Sequence, residues 1–155
     1  MGFTPMEGLV LATRCGSIDP GLLLALLQTG LDPSELGETL NHQSGLAGLS
    51  GLSGDWTELR AAAAEGHNGA QFAVEVFMHR LKAGIAAMAA SLGGVDQIAL
   101  SGGIGANDKQ LLEQLEAEMR WMGLVQWLQI PADEEGMIAW LISGQADRGF
   151  GAADD

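Results

Sequence analysis

Four short stretches hold the residues whose types and spacing could do chemistry. In "GFTPMEGLVLATRCGSIDPG", residues 2–21, Arg14 lies between an apolar, strand-like run and a turn. A guanidinium there can hold a carboxylate or phosphate through two parallel N–H bonds, or can pair with Asp19 for purely structural reasons. In "SGLSGDW", Asp55 and Trp56 open a helix. An acidic acceptor beside an aromatic face suits a purine, and the same two residues equally suit an N-cap followed by a core aromatic. In "IALSGGIGANDKQLLEQL", an apolar run passes through Gly102, Gly103 and Gly105 into an amphipathic helix. Glycines there let backbone N–H groups approach an anion at the positive end of a helix dipole, though a tight connection needs the same residues. It is not a Walker A loop, because Lys109 lies beyond the glycines and is followed by Gln110. In "PADEEGMI", Asp133, Glu134 and Glu135 start a helix, where they favour its N-terminus or could hold Mg²⁺ directly or through water.

Other chemistries are weakly supported. His42, His67 and His79 show no metal-ligand spacing, and no Ser or Cys nucleophile has a partner pattern. Cys15 is the only cysteine, which excludes an internal disulfide and points to the cytoplasm. The formal net charge of −13, with seven basic residues scattered along the chain, argues against a nucleic-acid partner. Any bound anion therefore depends on backbone N–H groups, a cation, or a rare basic side chain such as Arg14. No signal peptide and no apolar run long enough to span a bilayer is present, so no membrane partner is expected.

The elements that must position these residues follow from periodicity and punctuation. The 155 residues, 47% of them hydrophobic and 17% charged, fit one folded domain that buries roughly 68–70% of its unfolded surface. A short buried helix is expected from Pro20, ended by Gly30, and a second, capped by Asp32, from Pro33 to about Asn41. The run "SGLAGLSGLSGDW" reads as an ordered loop with short extended pieces. Asp55 caps a helix that Gly66 ends. The longest helix, about Asn68 to Ser91, repeats Phe77, Leu81, Ile85, Met88 and Leu92 at helical spacing among alanines and should be buried on more than one side, either in the core or against a second subunit. "VDQIAL" and "LVQWLQI" read as strands, with a helix over about Asp108 to Met122 between them and a last helix after Pro131. This alternation predicts an α/β architecture with ligands beyond the carboxyl ends of strands, where the Gly102–Gly105 turn falls. Residues 143–155 read as a flexible tail.

Taken in order, "GFTPMEGL", "TRCGSIDPG", "SGLAGLSGLSGD", "LGGVDQIALSGGIGAN" and "IPADEEGMIA" resemble the C-terminal half of the acetate and propionate kinases. The resemblance runs from Gly2 to about Ala139, and five segments in order are far more specific than any one. It implies a ribonuclease H-like half of the actin-like ATPase superfamily, a sheet flanked by helices, with residues 1–142 as a nucleotide-binding domain. The implied activity is reversible transfer of the ATP γ-phosphoryl group to acetate, with Mg²⁺, giving acetyl phosphate and ADP. It also implies roles. Arg14 would be catalytic and Pro5 would line the pocket for the acetate methyl. Asp55 and Trp56 would contact adenine. Gly102, Gly103, Ile104, Gly105 and Asn107 would form the nucleotide turn, and Glu134 would serve Mg²⁺. A homodimer is implied as well. The chain departs from the family at Ala106, usually Glu, at Thr57, commonly basic, and in a compressed stretch between Gly123 and Ile130. Because the family's N-terminal half supplies the other catalytic groups, the chain by itself is expected to be inactive. The alternative is a degenerate stand-alone fragment that keeps fold and dimer surface without nucleotide binding.

Overall fold

The computed structural model describes residues 3–143. The chain divides into two compact units, Met1–Gly94 and Val95–Asp155, whereas its length fits a single domain. The expected tail lies, from residue 144 on, outside the described residues.

The first unit contains α1 (Pro20–Gln28), α2 (Pro33–His42), α3 (Gly45–Ser50), α4 (Trp56–Ala64) and α5 (Asn68–Leu92). Local chemistry starts most of them. The carboxylates of Asp19, Asp32 and Asp55 accept the N–H groups of Gly21, Ser34 and Glu58 at 2.7, 2.8 and 2.9 Å. His67 does the same for α5, its Nδ1 accepting from the Ala70 N–H at 3.1 Å. Each cap satisfies an N–H that a helix leaves without an internal partner. The helices α3 and α4 pack against α5, and Leu46, Leu59, Ala70, Ala73, Phe77 and Met78 form the interior.

Two expectations for this unit are corrected. Residues 45–50 form a helix rather than a loop with extended pieces. Gly and Ser are poor helix formers, and α3 is held by contacts outside itself, set out below. The leucines of α1 are not buried: Leu22, Leu24 and Leu27 are 49%, 61% and 36% exposed. That helix is fixed by its Asp19 cap and Pro20 rather than by packing. The outer half of α5 is open in the single chain, with Met88 61% and Leu92 75% exposed, so the core is not what covers it. A helix of 25 residues extends ~38 Å and outruns the shorter α3 and α4 that cover its first half.

The second unit is a βαβ arrangement. Strand β1 (Gln97–Leu100) pairs in parallel with β2 (Gln126–Gln129), in a register that sets Gln97 opposite Gln126 and Leu100 opposite Gln129. Between them run α6 (Gly102–Gly105), α7 (Lys109–Glu118) and a 3-10 turn at Arg120–Met122, and α8 (Glu134–Ile142) follows. The predicted single helix from Asp108 to Met122 thus closes early, at Glu118. Leu111, Leu115 and Met119, at helical spacing, are buried together with Leu100 of the strand. A parallel pair needs a crossover of this length, so the α/β expectation holds at the level of this unit. Among the described residues no helix is long and apolar enough to cross a membrane.

Candidate functional site

Arg14 sits on an irregular segment, where the sequence suggested a strand before it. The backbone of that segment spends its hydrogen bonds on helix ends instead of a ladder. The N–H groups of Ser44, Leu46 and Ala47, at the start of α3, donate to the carbonyls of Thr13, Leu11 and Ala12 at 2.9, 2.8 and 2.9 Å. On the other side, Cys15 N–H donates to Leu40 O at 3.0 Å and Thr13 Oγ1 to Asn41 O at 3.1 Å, occupying carbonyls of the last turn of α2. The Arg14 segment therefore fills the gap between two helix ends whose groups would otherwise lack partners. Gly45 permits the close approach. Its φ is +66°, and a Cβ there would lie 2.8 Å from Arg14 N and collide with Leu11 O.

The Arg14 backbone is thus clamped while its half-buried side chain is left available. No ion pair or hydrogen bond joins that guanidinium to another described residue, and Asp19, the structural partner weighed from the sequence, caps α1 instead.

Asp55 is brought to the same region. A Cβ on the preceding Gly54 would stand 2.7 Å from Ala12 O, so the turn before α4 lies directly on the Arg14 segment. Ser50 shapes that turn. Its buried Oγ lies 3.0 Å from Ser53 O and 3.3 Å from Ala47 O, and accepts the N–H groups of Leu52 and Ser53 at 3.1 and 3.2 Å. Ser53 Oγ in turn accepts the Asp55 N–H at 3.0 Å. Asp55 is exposed and uses one carboxylate oxygen, Oδ1, as the α4 cap. Trp56 is different. It is 7% exposed, tilted against Phe77 with ring centroids 4.6 Å apart, and Arg60 stands 5.7 Å from its ring centre. The aromatic face considered for a purine is thus largely taken up by the core.

Pro5 is exposed and does not line two cavities of this unit, one at Val10 and Gln43 and one at Leu23 and Leu40. Its neighbours Thr4 and Met6 do line one, of about 390 Å³, together with Cys15, Ile18, Leu23 and Leu40.

In the second unit the glycine stretch is a one-turn helix rather than an open turn. Gly102 enters with φ +77° and Ser101 makes no side-chain cap. Nothing lies within 4 Å of a Cβ built on Gly102 or Gly103, whereas one on Gly105 would press on Leu100 at 3.2 Å. Gly105 is thereby explained by packing and Gly102 by its backbone angle; Gly103 has no steric reason in the structure. Asn107, although exposed, bonds back onto the turn, its Nδ2 donating to Gly103 O at 2.8 Å, and Gln129 Nε2 donates to Gly105 O at 2.9 Å. Glu134 is the first residue of α8, behind the Asp133 cap, which accepts the Gly136 N–H at 2.9 Å. Among the described residues no group of three His, Cys, Asp or Glu side chains could hold a metal ion.

Of the residues singled out from the sequence, the first unit contains Pro5, Arg14, Asp55 and Trp56, and the second the glycine turn, Asn107 and Glu134. Ser50, Gly45 and Gln129 were not anticipated: Gly45 and Gln129 act on residues distant in sequence, and Ser50 is one of several serines in a Gly/Ser/Leu stretch.

A parallel βαβ unit with glycines beyond its first strand places the chain in the α/β class. The sequence profile of the Acetokinase family matches residues 1–140, and the chain belongs to that family. It is 48% identical over 125 residues to acetate kinase 2 of Neisseria meningitidis serogroup A, a match covering 80% of this chain and 31% of that protein. Among solved structures, Porphyromonas gingivalis acetate kinase superposes with a TM-score of 0.86 at 33% identity, covering 93% of this chain and 42% of that one. A propionate kinase from Francisella tularensis gives 0.83 at 30% identity, covering 90% and 41%. The chain thus has the α/β fold of these kinases and spans about a third of the length of the curated relatives it matches.

Proposed function

We propose that this chain is the nucleotide-binding part of an acetate kinase, acting in reversible transfer of the ATP γ-phosphoryl group to acetate or propionate. The observation that carries the reading is Arg14, whose neighbours in the chain bond to two helices while its guanidinium has no partner among the described residues. Phosphoryl transfer spreads charge over the equatorial oxygens of the moving group, so it demands positioned positive charge and N–H donors more than a covalent nucleophile. Arg14 would hold the acyl carboxylate and the phosphoryl group, with Pro5 beside the acyl methyl. Asp55, backed by Trp56, would contact the nucleoside. Gly102, Gly103, Ile104, Gly105 and Asn107 would form the nucleotide turn; the uncapped first turn of α6 and the open space over Gly103 suit a phosphate. Mg²⁺ commonly arrives with substrate phosphates and one or two carboxylates rather than in a protein cage, and Glu134 is the carboxylate assigned to it. The exposed outer half of α5 suits a homodimer, and ATP and acetate suit a cytoplasmic setting.

The specific observation favouring the other reading, a fragment that keeps the fold without binding nucleotide, is Trp56 in the core rather than open to a purine. Calorimetry separates the two. Titrated with millimolar ADP–Mg²⁺, the folded chain is expected to give weak, saturable heat and, with ATP and acetate, no measurable acetyl phosphate. A folded chain that gives no heat establishes the fragment reading instead.

A further inference from the structure

The α6 turn is unusual in how completely its acceptors are used. Gly102 O accepts from Ala106 N at 3.0 Å, and Ile104 O from Asn107 N and Asp108 N at 3.2 and 3.0 Å. Gly103 O accepts from the Asn107 side chain at 2.8 Å, and Gly105 O from Gln129 Nε2 at 2.9 Å. Every carbonyl of the turn has a donor, while its first N–H groups have no side-chain cap. A one-turn helix of glycines has little intrinsic stability, because each glycine loses much backbone freedom on ordering. Its shape must come from outside.

Gln129 is the part of that support that comes from another strand. It ends β2 directly opposite Leu100, the last residue of β1 before the turn, and Ile130 N–H donates to Leu100 O at 2.9 Å. From there its one amide nitrogen donates twice, to Gly105 O and, at 3.2 Å, to Asp108 O, the last carbonyl before α7. Gly105 packs back on Leu100, so the strand end, the amide and the turn close a triangle.

We propose that Gln129 is a positioning residue for the nucleotide turn: by holding the carbonyls of Gly105 and Asp108 it fixes the turn so that its N–H end is presented to phosphate. This rests on the reading of the turn as a nucleotide contact. The role requires two donors on a side chain of this length, which neither Met nor Glu supplies.

The test uses the whole chain and its Gln129→Met and Gln129→Glu variants. Amide exchange at Ala106, Asn107 and Asp108 should quicken about tenfold, and ADP–Mg²⁺ affinity should fall about tenfold, the loss expected from one or two hydrogen bonds, with Glu the worse. Exchange in α7 at Leu115 and Met119 should not change. If exchange quickens but affinity holds, Gln129 is only a structural brace and the proposal fails; it fails equally if neither changes. If the wild-type chain binds no ADP at millimolar concentration, the nucleotide reading itself has failed and this proposal with it, which is a different result from equal binding by wild type and variant. Should the variants not fold, the wild-type Gln129 side-chain amide protons decide by NMR. They are expected to exchange slowly and to shift on ADP–Mg²⁺ addition, and exchange at the rate of a free glutamine side chain overturns the proposal.

Discussion

Arg14 and Gly45 divide one task between side chain and backbone. Arg14 carries the charge, but its position is set by carbonyls and amides of its neighbours meeting α2 and α3, and Gly45 is the residue that lets α3 come that close. Opposite consequences follow for stability. Arg14→Ala removes a half-buried side chain with no described partner and should leave the unfolding free energy from urea titration within about 0.5 kcal/mol of wild type. Gly45→Ala must adopt a left-handed angle and drive a Cβ into Leu11 O, and should cost about 2 kcal/mol or more. Equal losses in the two variants would contradict this division. Arg14 was legible in the sequence because an arginine between an apolar run and a turn is conspicuous. Gly45 was not, since it is one of several glycines in a Gly/Ser/Leu stretch and its constraint lies with residues 11–14.

At the scale of elements, α3 and α4 show which parts of a fold a sequence announces. The start of α4 was readable because Asp55 caps it from the adjacent position, and the same holds for Asp32 and α2. The helix α3 was not, because "GLAGLS" has low propensity and its first N–H groups are satisfied by carbonyls about 35 residues away. The leucines of α1 misled in the opposite direction: an apolar stripe declares that a face prefers burial and does not say that a partner lies against it. The link from α3 to α4 rests on Ser50, whose Oγ meets four backbone groups in a buried position. Ser50→Ala should therefore destabilise the chain by about 1–3 kcal/mol, the range for orphaning buried polar groups, and should raise amide exchange at Leu52 and Ser53 before the rest of the unit. A loss under about 0.5 kcal/mol would mean that water replaces the hydroxyl there.

Over the whole molecule the decisive quantity is charge. With 20 acidic and seven basic residues, the chain carries a formal −13 and repels any polyanion before local contacts form. An anionic nucleotide would then need a cation to approach the chain, which gives the proposed Mg²⁺ a whole-molecule role besides any at Glu134. This fixes the sign of two dependences. Replacing Mg²⁺ by EDTA should weaken ADP binding by roughly tenfold, and raising NaCl from low to moderate concentration without Mg²⁺ should strengthen it, because screening weakens the repulsion. A basic, nucleic-acid-type binder shows the reverse, with affinity falling as salt rises. Calorimetric titrations at two salt concentrations, each with and without Mg²⁺, read both signs. If ADP binding without Mg²⁺ weakens with salt, local attraction at Arg14 and the glycine turn outweighs the molecule's overall field, and the electrostatics of the site must be treated as independent of its acidic surroundings.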